Sequence, residues 1–113
     1  MKKLPQFIFG FVLLLSSGQT RAGFDDGVAA YELSDFVPAL REFRLAADQG
    51  DARAQYMLGL MHAHGRGISV DNTEAMKWYR RAAEQGHAKS QYNLGVMHQR
   101  GMDLPSVNRP SVI

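Results

Sequence analysis

Four imidazoles, two adjacent carboxylates and a stripe of aromatic and methionine side chains are the groups in this sequence that could do chemistry. His62, His64, His87 and His98 are its histidines, and a cluster of imidazoles is the raw material of a metal site. The chain contains no cysteine, so no thiolate can complete such a site. The same absence excludes disulfides, a cysteine nucleophile and a lipidated N-terminal cysteine. His62 and His64 stand two residues apart, which places them on different faces of a helix, and packing is the simpler role for each. Asp25-Asp26 could be imagined as a general acid–base pair. Near a chain start with no rigid partner, they read as a solvated pair. Gly65-Arg66-Gly67 lacks the strand and the lysine of a phosphate loop. Lys77, Arg80 and Arg81 form the outward side of a helix, a solvated surface that could meet an acidic partner. Trp78-Tyr79 with Met57, Met61, Met76 and Met97 could line a sticky groove, but their helical spacing makes them core. No nucleophile–base pair emerges. The expectation is a protein that is not an enzyme and needs no cofactor or metal.

The elements that would position these side chains come from a repeat. Gly50 to Gly86 matches its neighbours on both sides when shifted by 36 residues. Forward, Ala54-Gln55-Tyr56, Leu58-Gly59, Met61-His62 and Gly65 fall on Ser90-Gln91-Tyr92, Leu94-Gly95, Met97-His98 and Gly101. Backward, Ala75, Tyr79, Ala82-Ala83 and Gln85-Gly86 fall on Ala39, Phe43, Ala46-Ala47 and Gln49-Gly50. Self-similarity at such a period is the mark of stacked helical units, each covering the apolar face of the next.

The pattern predicts five helices, at about 24–33, 36–49, 52–64, 72–85 and 87–98. Asp35, Asp51 and Asp71 precede three of them as N-caps, and Asp71 with Glu74 reads as a capping box. Gly50 and Gly86 supply left-handed stops. Gly65 and Gly67 shape the loop between the third and fourth helices, with Ile68 turned inward. Gly59 is unfavourable inside a helix by about 1 kcal/mol, which predicts a close, nearly backbone-to-backbone approach of the next helix. Gly95 repeats that device. After Gly101 the pattern fails: Asp103, Val107 and Ser111 answer Gly67, Asp71 and Ala75, and Pro105 and Pro110 break any helix there.

The first 22 residues read as an export signal. Lys2 and Lys3 precede the apolar run Phe7 to Leu15, and Thr20-Arg21-Ala22 offers small residues for cleavage after Ala22. The run is short of the roughly 20 apolar residues of a membrane span. Cleavage would remove three of the 13 basic side chains and leave ten against 11 acidic ones. The mature chain would then be near neutral, which gives no argument for nucleic acid. The expected location is the periplasm or the medium, with no stable membrane span.

The residues of the central unit resemble the Sel1-like repeat, a relative of the tetratricopeptide repeat with a longer loop between its helices. Ala52, Ala54, Gln55, Tyr56, Leu58, Gly59, Gly65, Gly67, Ile68, Asp71, Ala75, Trp78, Tyr79, Ala82, Ala83 and Gly86 carry the likeness. Tyr92, Leu94 and Gly95 begin it again. His62 and His98 depart from the family's usual tyrosine. The organisation implied is a signal peptide (1–22), a tetratricopeptide-like hairpin (23–49), one repeat (50–85), the first helix of a second (86–101) and an irregular tail (102–113). The resemblance implies an all-α solenoid of antiparallel helix pairs that binds a protein or peptide on its concave face. Tyr92, Leu94, Val96 and Met97 on the fifth helix have no sixth helix to cover them and form the expected partner-binding face, with a homo-oligomer as one way to cover it. A shortened, non-functional fragment of a longer repeat protein is the alternative, and an envelope enzyme acting on peptidoglycan is the least favoured.

Overall fold

The computed structural model describes residues 23–102. The expected signal segment with its cleavage after Ala22, and the tail from 103, lie outside them. Five helices and no strand are found among the described residues: α1 (23–32), α2 (Phe36–Asp48), α3 (Ala52–His64), α4 (Asn72–Glu84) and α5 (Ala88–Gln99). Each helix packs on the next along the chain, which gives an all-α solenoid. No described helix is long and apolar enough to cross a membrane.

The helix ends follow local backbone chemistry. Gly50, Gly65, Gly86 and Gly101 all hold positive φ, the left-handed stop that a side chain disfavours. Asp51 caps α3 by accepting from Arg53 N at 2.9 Å, and Asp71 caps α4 by accepting from Glu74 N at 3.0 Å. Two expected caps differ. Asp35 makes no side-chain cap bond to α2, because Ser34 already turns the chain at φ 62. The capping box at α4 is only half formed: the Asp71 N–H donates to His62 O at 2.9 Å, which leaves Glu74 to pair with Lys77 at 3.3 Å. His87 is a cap that the sequence reading missed. Its side chain accepts from Ser90 N and stands 2.9 Å from Ser90 Oγ.

Two cores flank α3. The first gathers Ala39, Phe43, Ala46, Ala47, Ala54, Leu58, Met61 and Trp78, with Phe24, Tyr31 and Leu40 against it. The second gathers Ala75, Met76, Tyr79 and Met97, with Tyr56, Leu60 and Leu94 against it. Small residues on α2 and α4 (Ala39, Ala46, Ala47, Ala75, Ala82) are fully or almost fully buried. Their lack of bulk lets the helices approach closely.

Gly59 shows what the repeat glycine does. A Cβ there would lie 2.4 Å from Tyr79 Cε1 and 2.5 Å from its Cδ1. The neighbour is therefore a ring lying on the backbone, and the expected backbone-to-backbone approach is corrected to that. Gly27 on α1 repeats the arrangement under the Phe43 ring, at 2.6 Å. Gly95 does not: among the described residues nothing stands within 4 Å of its hypothetical Cβ.

The loop between α3 and α4 is fixed to the preceding hairpin. Gly67, at φ 76, lies against Phe36, whose carbonyl oxygen would be 2.8 Å from a Cβ. Arg66 donates to the Tyr31 hydroxyl and places its guanidinium 5.7 Å from the Tyr31 and Phe36 ring centres. Such cation–ring contacts favour this geometry. Ile68 is half-buried.

Candidate functional site

A groove lined by both apolar and polar groups opens where α5 meets the α3–α4 pair. It has a volume of about 350 Å³ and is lined by Tyr79, Tyr92, Val96 and Met97 beside His64, Asn72, Asn93 and Arg100. Local sequence explains the mixture. On α5, positions 92, 96 and 100 follow one another at helical spacing, so Tyr92, Val96 and Arg100 form one edge. Asn93 turns toward α4 and hydrogen-bonds the Tyr79 hydroxyl. Burial pushes that phenol up to about 12, so Tyr79 stays neutral and serves as a floor.

The four expected partner-facing residues divide here. Tyr92 is 72% exposed and Val96 half-buried at the groove edge. Met97 is buried at 8%, and Leu94 packs beside it in the second core. The expectation that all four lie uncovered is thus corrected: α3 and α4 already cover the inner pair, because 94 and 97 share the inward side of the helix. The expected scaffold residues differ in burial, and Gly65, Gly67, Gly86, Tyr92 and Gly95 are exposed. Leu58, Gly59, Ala75, Trp78, Tyr79 and Ala82 are buried, while Tyr56 and Ala83 are half-buried between neighbouring helices.

The histidines do not converge. No group of three or more histidine and acidic side chains able to hold a metal occurs among the described residues. His62 is 3% exposed, and neither ring nitrogen has a hydrogen-bond partner. Burial lowers its pKa below the ordinary 6.5, opposed by Glu74 and Asp71 and reinforced by Arg44. It is a packing residue. His87 caps α5 and lies with its ring centre 4.8 Å from that of Tyr56. His98 approaches Arg80 at 3.4 Å.

Several basic side chains are engaged with their surroundings. Arg81 covers the Trp78 ring at 4.7 Å, and Lys77 pairs with Glu74. Arg53 forks onto Asp51 at 2.8 and 3.1 Å and rests 4.0 Å over Phe24. This fork holds the Asp51 carboxyl below its ordinary value against the opposing effect of partial burial.

Two glutamines were read only as part of the repeat pattern. Gln55 is 5% exposed and bridges helices, donating to Ala47 O at 3.1 Å and accepting from Gln85 Nε2 at 2.9 Å. The recurrence in register of Gln55 at Gln91 and of Gln85 at Gln49 is the signal the sequence carries.

Comparison with known proteins agrees with this architecture. The model of the Sel1 repeat matches residues 43–51, 52–87 and 88–109. A Sel1 repeat protein from Oxalobacter formigenes is 49% identical over 52% of this chain and 24% of its own, with a TM-score of 0.52. A protective antigen of uropathogenic Escherichia coli displaying an SLR fold is 31% identical over 80% of this chain and 20% of its own, with a TM-score of 0.72. The chain thus spans a quarter or less of the length of these two solved structures. No curated protein matches it.

Proposed function

The chain belongs to the Sel1 repeat family, and from that premise we propose that it is an exported module that holds a protein or peptide segment in the groove beside α5. Sel1-repeat folds commonly mediate protein–protein interaction, and the family is in general a scaffold rather than a catalyst. The observation that carries the reading is the groove itself. Tyr92 stands largely exposed at its edge, and Asn93 and Arg100 offer hydrogen bonds beside the apolar floor. Tyrosine and arginine are among the residue types that dominate binding energy at interfaces, and a concave site with a few placed polar groups can select a ligand. Export rests on the order of basic, apolar and small residues in the first 22 positions.

Selection from a displayed peptide library against the chain tests the binding reading. Ligands that lose at least about tenfold in affinity toward Val96→Lys, a loss of about 1.4 kcal/mol, are expected. Recovery of ligands indifferent to both Val96→Lys and Tyr92→Ala would place binding elsewhere. Intact-mass measurement on envelope fractions tests export: a chain beginning at Gly23 is expected, and full-length protein in the cytoplasm refutes it.

A further inference from the structure

Among the described residues, the groove beside α5 carries charge of one sign. Its lining holds the guanidinium of Arg100, with further donors in the Asn72 and Asn93 amides and the His64 ring, and no carboxylate. Asp71, next to Asn72, turns its own carboxylate onto Glu74 N as the cap of α4. From Gln85 to Met102 the sequence has Lys89 and Arg100 but no aspartate or glutamate. Residues 23–35 are the opposite, with Asp25, Asp26, Glu32 and Asp35 and no lysine or arginine. The described array is therefore acidic at α1 and basic at the groove.

Four cations elsewhere in the array have partners. Arg53 forks onto Asp51, Lys77 pairs with Glu74, Arg66 donates to the Tyr31 hydroxyl and Arg81 covers the Trp78 ring. Arg100 is exposed and makes no such contact with any described residue. A guanidinium presents a planar fork of donors that matches a carboxylate at two points. Spacing along α5 then fixes where the rest of such a ligand would sit. Val96 and Tyr92 precede Arg100 by four and eight positions, about 6 and 12 Å along the helix axis. An extended chain advances about 3.3 Å per residue and presents every second side chain to one face. Side chains two and four residues from an acid therefore reach Val96 and Tyr92 together. The hollow, at about 350 Å³, takes single side chains more readily than a helix about 10–12 Å across.

We propose that the groove recognises an extended acidic–apolar segment of a partner protein. The Arg100 fork holds an aspartate or glutamate of that segment, and apolar side chains two and four residues away lie over Val96 and Tyr92. This rests on the groove being the binding surface and names the class of ligand it takes.

A random peptide library displayed on phage and selected on the full chain supplies the probes. Each recovered sequence is synthesised with a fluorescein label and its binding followed by anisotropy. Recovered sequences are expected to place an aspartate or glutamate two and four residues from apolar side chains. Replacing that acid by its amide should weaken binding about tenfold, and Arg100→Gln should do the same. The two changes together should cost no more than either alone, because they remove one interaction. Raising salt from about 50 to about 500 mM should weaken the parent more than Arg100→Gln. Lys89→Gln removes the same charge from α5 outside the groove lining and should leave affinity unchanged. Arg100→Gln should keep the far-ultraviolet spectrum of the parent, so lost binding is not lost folding. Ligands that need Tyr92 yet are indifferent to the amide replacement or to Arg100→Gln overturn this proposal and leave the groove reading standing. A selection that yields no ligand, or only ligands indifferent to both Tyr92→Ala and Val96→Lys, fails both. An equal loss with Lys89→Gln reduces the effect to diffuse attraction and overturns the proposal. Asp103 follows Arg100 by three positions in the sequence; if Arg100→Gln changes affinity only once Asp103→Asn is also present, Arg100 serves the chain's own carboxylate and the proposal is overturned. A dimer of the free chain that Arg100→Gln disperses in sedimentation overturns it as well, by assigning the carboxylate to a second copy.

Discussion

Gly59→Ala and Gly95→Ala make one chemical change at equivalent points of two helices, so their difference isolates what lies on each glycine. Both replacements remove a helix-interior glycine, a gain of about 1 kcal/mol on propensity. At Gly59 the new methyl would stand 2.4 Å from Tyr79 Cε1, more than ~1 Å inside the carbon–carbon optimum of about 3.5 Å. Tyr79 is 2% exposed and its hydroxyl is held by Asn93, so the ring cannot swing aside. The clash must be relieved by shifting α4. Overpacking of this kind costs about 1–3 kcal/mol, which leaves Gly59→Ala between break-even and about 2 kcal/mol destabilised. Gly95→Ala meets nothing among the described residues and keeps the whole propensity gain. In a domain of this size 1 kcal/mol moves the midpoint by about 4–8 °C. Melts followed at 222 nm should therefore place Gly95→Ala above the parent chain and Gly59→Ala at least about 4 °C below Gly95→Ala. The double variant Gly59→Ala/Tyr79→Leu should show favourable coupling, because the shorter side chain removes the clash. Equal midpoints for the two alanine variants, or Gly95→Ala below the parent, would refute the ring-on-glycine account.

Three further outcomes are expected. Trp78→Ala removes a side chain that is 6% exposed in the first core; at about 3–5 kcal/mol for such truncations it should leave little folded protein by circular dichroism at 25 °C. Asp71→Ala should cost about 1 kcal/mol through the lost cap bond to Glu74 N, while Asp35→Ala, whose side chain makes no cap bond, should stay within about 0.5 kcal/mol; denaturant midpoints compare them. His62 is held neutral by burial, with its folded pKa lowered from 6.5. The unfolded chain therefore binds that proton first as pH falls, so stability is flat above about 6.5 and declines from there toward the folded value. Melts between pH 8 and 5 should show this slope, and His62→Leu should flatten it.

The repeat made the helices and their apolar stripes legible, because burial in a stacked array forces a periodic pattern that a single sequence displays. Ala39, Phe43, Leu58, Met61, Trp78 and Tyr79 are in the core for that reason. Features that depend on competition between equally available partners were not legible. Asp71 N could have gone to Glu74, but His62 O was nearer in the folded loop. Gly59 announced a close approach without naming the atom that makes it, since backbone and ring both fit a missing side chain. At the candidate site, helical spacing placed Tyr92 and Val96 outward. It could not say that Leu94 and Met97 are already covered by α3 and α4, which depends on where the neighbouring helices sit around α5.

Trp78 and Tyr79 are adjacent in the chain, yet their rings belong to different cores on the two sides of α3. Trp78 is the only tryptophan. Indole emission excited on the red edge therefore watches only the packing of the first three helices and the inner turn of α4. The ellipticity at 222 nm counts every helix. The protein thus contains its own pair of independent clocks for disassembly. If the two signals change together, α3 acts as a shared wall that couples both halves; if ellipticity falls first while emission holds, α5 peels away alone. The separation between the curves measures the nearest-neighbour coupling that governs one-dimensional arrays, without a label or a substitution.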